Sequence, residues 1–256
     1  MLKRALCFLC LCILYFPAPS FAAEPDRLIL INLATNQLSY FENGQYMRTF
    51  PISSGKKQTP TPEGKFTVIN KYKNKRYNRK NIEGGALNNP LGTRWMGLNY
   101  KEYAIHGTNR ESTIGSYESN GCIRMNDRNI QWLYDRIPLR TKVVITKFYG
   151  SAEQAAHRFG YRVISWNGEK VEENQVGKLL TIDRTKLYWQ EPNGQLIVVQ
   201  TVMPNQVHPV FSHNGKGTYY IGNNLYIVDP FHESVKYTQV PDYIIANQYK
   251  RQRGIQ

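Results

Sequence analysis

Cysteine is scarce in this chain of 256 residues, and carboxylates are in short supply. Three of the 4 cysteines, Cys7, Cys10 and Cys12, fall near the N-terminus. Beyond them only Cys122 remains, which excludes an internal disulfide in the rest of the chain. The 19 Asp and Glu are outnumbered by 33 Lys and Arg, giving a net charge of +14 and suggesting anionic surroundings. Long apolar runs are missing too. The longest, Leu6 to Phe16, falls well short of the roughly 20 residues that cross a bilayer. Lys3 and Arg4 precede it, and Pro17 to Ala23 follow it, with Ser20 and Ala22 placed for cleavage after Ala22. Residues 1–22 therefore read as a signal peptide, and the protein as exported to a cell wall, the extracellular space or a periplasm. Removing Lys3 and Arg4 lowers the net charge from +14 to +12. Outside the membrane, anionic wall polymers or lipid headgroups are the expected partners, and nucleic acid is not.

Against this background one pair of residues stands out. Ala104-Ile105-His106-Gly107-Thr108-Asn109 is followed by Ser119-Asn120-Gly121-Cys122-Ile123-Arg124-Met125. A thiol attacks as its thiolate and needs a base to reach that form. An imidazole takes the proton and returns it to a leaving amine. Gly121 lets a substrate approach the backbone closely and leaves amide N–H groups to hold an oxyanion. The outline is that of a Cys/His acyl-transfer site. His157, His208, His213 and His232 have neither ligand spacing nor a cysteine partner and read as structural or surface residues; no metal and no cofactor are expected.

The chain reads as mainly β. Leu28 to Leu33, Gln37 to Phe41 and Tyr46 to Ile52 are three short strands, the last two joined by the turn signal Glu42-Asn43-Gly44. Ser53 to Gly64 reads as a loop and Lys65 to Asn70 as a strand. Lys71 to Lys80, basic with Tyr72 and Tyr77 interleaved, is either a solvated loop or a flap that steers an anionic substrate. Ile130, Leu133, Tyr134 and Ile137 share one face of the main helix, Asp127 to Ile137, which Asn126 or Asp127 caps and Pro138 stops. Lys142 to Phe148 is a further strand. After a break at Gly150 comes a helical linker, Ser151 to Phe159. A Tyr-rich β-module follows, with strands at Tyr161–Trp166, Lys186–Gln190, Gln195–Met203, Gly217–Ile221 and Leu225–Val228, and Tyr243 to Arg253 is either a short basic helix or a frayed tail. Two domains are expected, 23–150 and 151–256, and the role of the second is open.

Residues 27 to about 148 resemble the catalytic domain of YkuD-type L,D-transpeptidases. The resemblance runs through the opening hairpin, Ser54-Gly55, Thr59-Pro60-Thr61-Pro62-Glu63-Gly64-Lys65-Phe66, Asn89-Pro90-Leu91-Gly92-Thr93-Arg94-Trp95-Met96, and the His and Ser-x-Gly-Cys-x-Arg segments. It implies a β-sandwich-like fold with one main helix and a Cys at the mouth of a cleft, followed here by a small all-β module. It implies action on peptidoglycan stem peptides, with release of D-Ala, an acyl-enzyme and 3–3 cross-links. By that likeness Cys122 is the nucleophile, His106 the base and the Gly107 carbonyl the group that orients the imidazole. The N–H groups of Gly121 and Cys122 are candidates for the oxyanion site, with Asn120, Ser119 and Arg124 as substrate-binding candidates. Arg124 either holds a carboxylate or braces the cleft. Many members carry His where this chain has Asn120, which donates hydrogen bonds but does not titrate near neutral pH. Hydrolysis on the same fold, or a wall-binding protein with a decayed site, are the other readings.

Overall fold

The computed structural model describes residues 26–100 and 102–252; the expected signal peptide lies outside the described residues. The first part of the chain forms β1 (Arg27–Asn32), β2 (Gln37–Glu42), β3 (Gln45–Pro51), β4 (Ser54–Gly55) and β5 (Gly64–Lys73). Then come β6 (Arg94–Leu98), β7 (Ala104–His106), β8 (Tyr117–Ser119), β9 (Ile123–Arg124), α1 (Asp127–Arg136) and β10 (Lys142–Thr146). Eight of these strands make one curled sheet in the order β3-β2-β1-β10-β5-β6-β7-β9, and β4 pairs with β8 beside it.

Leu28 to Ile31 is an unbroken apolar run because β1 is buried on both faces, as a central strand paired in parallel with β10 would be. Ile29 and Ile31 point to one side, into a core closed by Ile130, Leu133 and Tyr134 of α1. Leu28 and Leu30 point to the other, into a second core with Phe41 and Val144. The helix is capped as its sequence demands: the Asn126 side chain accepts the Asn129 N–H at 2.9 Å. At its far end Lys71 donates to the carbonyls of Tyr134 and Ile137 at 2.6 and 2.5 Å, satisfying groups a helix terminus leaves open.

The second part begins with α2 (Ala152–Arg158), which lays Ala155 and Ala156 over Leu28, Leu30, Phe41 and Val144. Then follow β11 (Ser165–Trp166), β12 (Glu169–Lys170), β13 (Gly177–Thr181), β14 (Thr185–Gln190), β15 (Leu196–Val202) and β16 (Val207–Val210). The chain closes with β17 (Ser212–His213), β18 (Thr218–Gly222), β19 (Leu225–Val228), β20 (Val235–Gln239) and α3 (Asp242–Gln252). They form a three-stranded sheet, β16-β13-β20, and a five-stranded one, β15-β14-β19-β18-β17. Helices thus flank the β-module at both ends. The strand expected over Tyr161–Trp166 is confined to Ser165–Trp166. Its apolar residues Tyr161 and Val163 pack onto the first sheet instead of pairing sideways. The Tyr161 hydroxyl donates to the Asp26 carbonyl at 2.6 Å, and the Ile164 N–H to the Gly44 carbonyl at 2.8 Å.

Candidate active site

Strands β7 and β9 are parallel neighbours, with Ile105 opposite Ile123 and His106 opposite Arg124. Side chains alternate along a strand. Since Ile105 and Ile123 are fully buried in the main core, His106 and Arg124 face the other way. Cys122 precedes Arg124 by two positions and joins them. All three line one cavity of about 720 Å³, with Ser119, Asn120 and Trp95.

The turn that presents Cys122 is held from behind. Gly121 has φ +112°, and a Cβ there would come within 2.5–3.0 Å of the Tyr103 ring, so only glycine fits. The Ser119 hydroxyl accepts the Gly121 N–H at 2.9 Å and donates to the Cys122 carbonyl at 2.5 Å. Thr61, buried, donates from its hydroxyl to the Gly121 carbonyl and accepts the Gly55 N–H, both at 2.8 Å. The Lys56 N–H reaches the Ser119 carbonyl at 3.0 Å, and Ser53 and Arg124 exchange backbone bonds at 2.9 and 2.8 Å. The Thr-Pro segment therefore clamps the cysteine turn from sixty residues away. Of the two N–H groups expected to hold an oxyanion, that of Gly121 is bonded to the Ser119 hydroxyl, whereas that of Cys122 has no acceptor among the described residues.

His106 is almost wholly buried, 4% exposed. Its Nδ1 lies 2.6 Å from the Gly107 carbonyl. A carbonyl only accepts, so Nδ1 carries the proton and Nε2 keeps its lone pair. The ring stacks on Trp95, centroids 5.5 Å apart and planes at 18°, and the Trp95 indole N–H donates to Asn70 Oδ1 at 3.1 Å. A Cβ on Gly107 would strike the Asp127 carboxylate and Gly92, which is why glycine follows the histidine. Burial pushes the imidazole down to about 4, against its bond to the Gly107 carbonyl; the Arg124 charge pushes the same way as burial. Burial pushes the Cys122 thiol up, opposed by the Ala104 amide and the Arg124 and Arg79 charges. Near neutral pH both groups therefore rest uncharged. The thiol lies 3.7 Å from the Glu102 carbonyl.

Of the Lys71 to Lys80 stretch, Tyr72 and residues 75–79 line the cavity. The stretch continues β5 to Lys73 and then sets Lys75, Tyr77 and Arg79 there. Arg79 pairs with Glu102 at 2.9 Å. Arg124 makes no side-chain hydrogen bond or ion pair among the described residues, so it does not brace the cleft that way. Asn120 is exposed at the rim, and its amide is likewise unengaged. Sequence reasoning missed Thr61, Ser53, Tyr103 and Asp127 as parts of the site. Only Thr61 carried a signal, its place in the Thr-Pro block.

The site thus brings together a buried neutral imidazole, a thiol and, among the described residues, a backbone N–H without an acceptor. The L,D-transpeptidase catalytic domain model, YkuD, matches residues 26–145. A Bacillus subtilis protein named as an L,D-transpeptidase, YqjB, is 41% identical over 136 residues, 51% of this chain and 77% of that one. Another from the same organism, YkuD, is 35% identical over 119 residues, 46% of this chain and 65% of that one. A solved L,D-transpeptidase from Mycobacterium smegmatis aligns at 21% identity and TM-score 0.39, over 48% of this chain and 59% of that one. The chain belongs to the YkuD-type L,D-transpeptidase family.

Proposed function

We propose that this protein is an exported cysteine L,D-transpeptidase that acts on peptidoglycan stem peptides through a thioester. Cys122 Sγ attacks the carbonyl between the third residue of a tetrapeptide stem and its terminal D-Ala. The thiol proton passes to His106 Nε2, and the oxyanion is held by the Cys122 N–H and the Asn120 amide. Collapse breaks the C–N bond, and the imidazolium returns the proton to the departing D-Ala amine. An amine from a neighbouring stem then attacks the thioester and gives its proton to His106. Sγ leaves and is reprotonated, and a 3–3 cross-link remains. Arg124, which lines the cavity without a side-chain hydrogen bond or ion pair among the described residues, receives a substrate carboxylate.

The observation that carries this reading is the orientation of His106, whose Nδ1 is tied to the Gly107 carbonyl at 2.6 Å while the ring shares a cavity with Cys122. The test is mass spectrometry of the mature protein and its Cys122→Ala variant with tetrapeptide muropeptides. A wild-type acyl adduct and 3–3 dimers are expected. Adducts that resolve only to tripeptide would make the enzyme a carboxypeptidase. Folded protein that gives neither adduct nor product would refute catalysis.

A further inference from the structure

The five-stranded sheet of the second part presents one row of side chains on each face, and only one row belongs to a hydrophobic core among the described residues. Leu187, Ile227 and Tyr219 sit opposite one another across β14, β19 and β18 and build the core of the module. The next position along each strand points to the opposite face. There Tyr188, Tyr226 and Tyr220 also stand in one register row. They are partly exposed and belong to no hydrophobic core among the described residues. The Tyr220 and Tyr226 ring centroids are 5.1 Å apart, and the Tyr226 hydroxyl donates to Gln190 Oε1 at 3.0 Å. The row continues to Val198 on β15, itself 55% exposed. No carboxylate occurs in β14, β15, β18 or β19, while Lys186 lies on the outer side of β14.

Adjacent strands lie about 4.8 Å apart, and the Tyr220 and Tyr226 rings keep nearly that spacing at a mutual tilt of 41°. That is close to the advance per sugar of an extended β-1,4-linked polysaccharide, whose pyranose faces are apolar and whose edges carry hydroxyl and amide groups. Tyr presents a matching surface, with an apolar face and a polar tip. We propose that this outer face binds the β-1,4-linked amino-sugar strand of the cell wall, with one ring beneath each sugar and Gln190 and Lys186 at the edges. The ligand class comes from the row of rings and from strands that carry no carboxylate. Its cellular setting rests on the transpeptidase reading.

The test is calorimetric titration of the mature full-length protein with a β-1,4-linked N-acetylglucosamine hexamer, which carries no stem peptide. Binding is expected, kept by Tyr188→Phe/Tyr226→Phe and weakened about tenfold or more by Tyr188→Ala/Tyr226→Ala. Turnover of soluble tetrapeptide stems should be unchanged in both variants. In the wild-type protein the hexamer should shift the ring NMR signals of Tyr188, Tyr220 and Tyr226, a readout independent of how the variants fold. Absence of binding, shifts confined to the catalytic cavity, or equal affinity in a folded alanine variant would overturn the proposal. So would a stable dimer broken by Val198→Lys, because a second copy would then cover the face. Hexamer binding by protein that forms no acyl-enzyme would support this site while refuting the reaction.

Discussion

His106 is both the most buried titratable group of the site and the one whose charge state sets its pH range. In the proposed reaction His106 must be neutral to accept the Cys122 proton, and its folded value is about 4 against an ordinary 6.5. Activity limited by this group should therefore persist as pH falls below 6.5 and fail only near the folded value. A kcat/KM profile whose acid limb sits near 6.5 would contradict the buried neutral imidazole. The same depression has a stability consequence. The unfolded chain binds a proton on this residue between pH 6.5 and about 4 and the folded chain does not. Its contribution is thus fully present above 6.5 and lost as pH falls through that window, by roughly 3 kcal/mol in all. His106→Gln should flatten that part of the stability curve, read by urea unfolding at several pH values, while lowering kcat by a factor of ~10² or more. Thr61→Val keeps the volume but breaks its bonds to the Gly121 carbonyl and the Gly55 N–H, leaving each of those buried groups unpaired at a cost of about 1–3 kcal/mol. It should lower the rate of Cys122 acylation without changing which residue is acylated, as peptide mapping of the adduct would report.

Among the elements, those built on local pattern were the legible ones. The three opening strands, the strand at Lys142 and the helix from Asp127 announce themselves by apolar periodicity, a turn signal and a cap. Asn126→Ala should cost ~1 kcal/mol in thermal or chemical unfolding, since it removes the acceptor for the Asn129 N–H. The strands that assemble the site are another matter. β4, β7, β8 and β9 are two or three residues long, and their pairing joins segments far apart in the chain, so no window of sequence displays it. The meeting of Cys122 and His106 in one cavity was readable because thiol and imidazole are rare and adjacent glycines mark them. The supports were not. A threonine clamping a turn sixty residues on, or a tryptophan stacked on the catalytic-segment histidine across β6 and β7, exists only once the sheet has formed. The family resemblance supplied the Thr-Pro block as a signature without its reason, and the fold supplies the reason.

At the scale of the whole molecule, α2 and the Tyr161–Val163 segment cover one face of the sheet whose far edge carries His106 and Cys122. Truncation after residue 150 would uncover Leu28, Leu30, Phe41 and Val144, all nearly fully buried. Such a fragment should unfold at lower temperature and bind a hydrophobic dye, and Leu30→Ala in the full chain should cost about 2–5 kcal/mol. A fragment as stable as the full chain would show that the seam contributes nothing. The seam also leaves a trace in ancestry. Chains of this family that end after the last strand of the catalytic sheet have no α2 to shelter these four positions. Natural selection should then have turned them polar, or supplied another cover. Where the extension is inherited they should stay apolar with it, so an alignment column in β1 would record which lineages carry the second half.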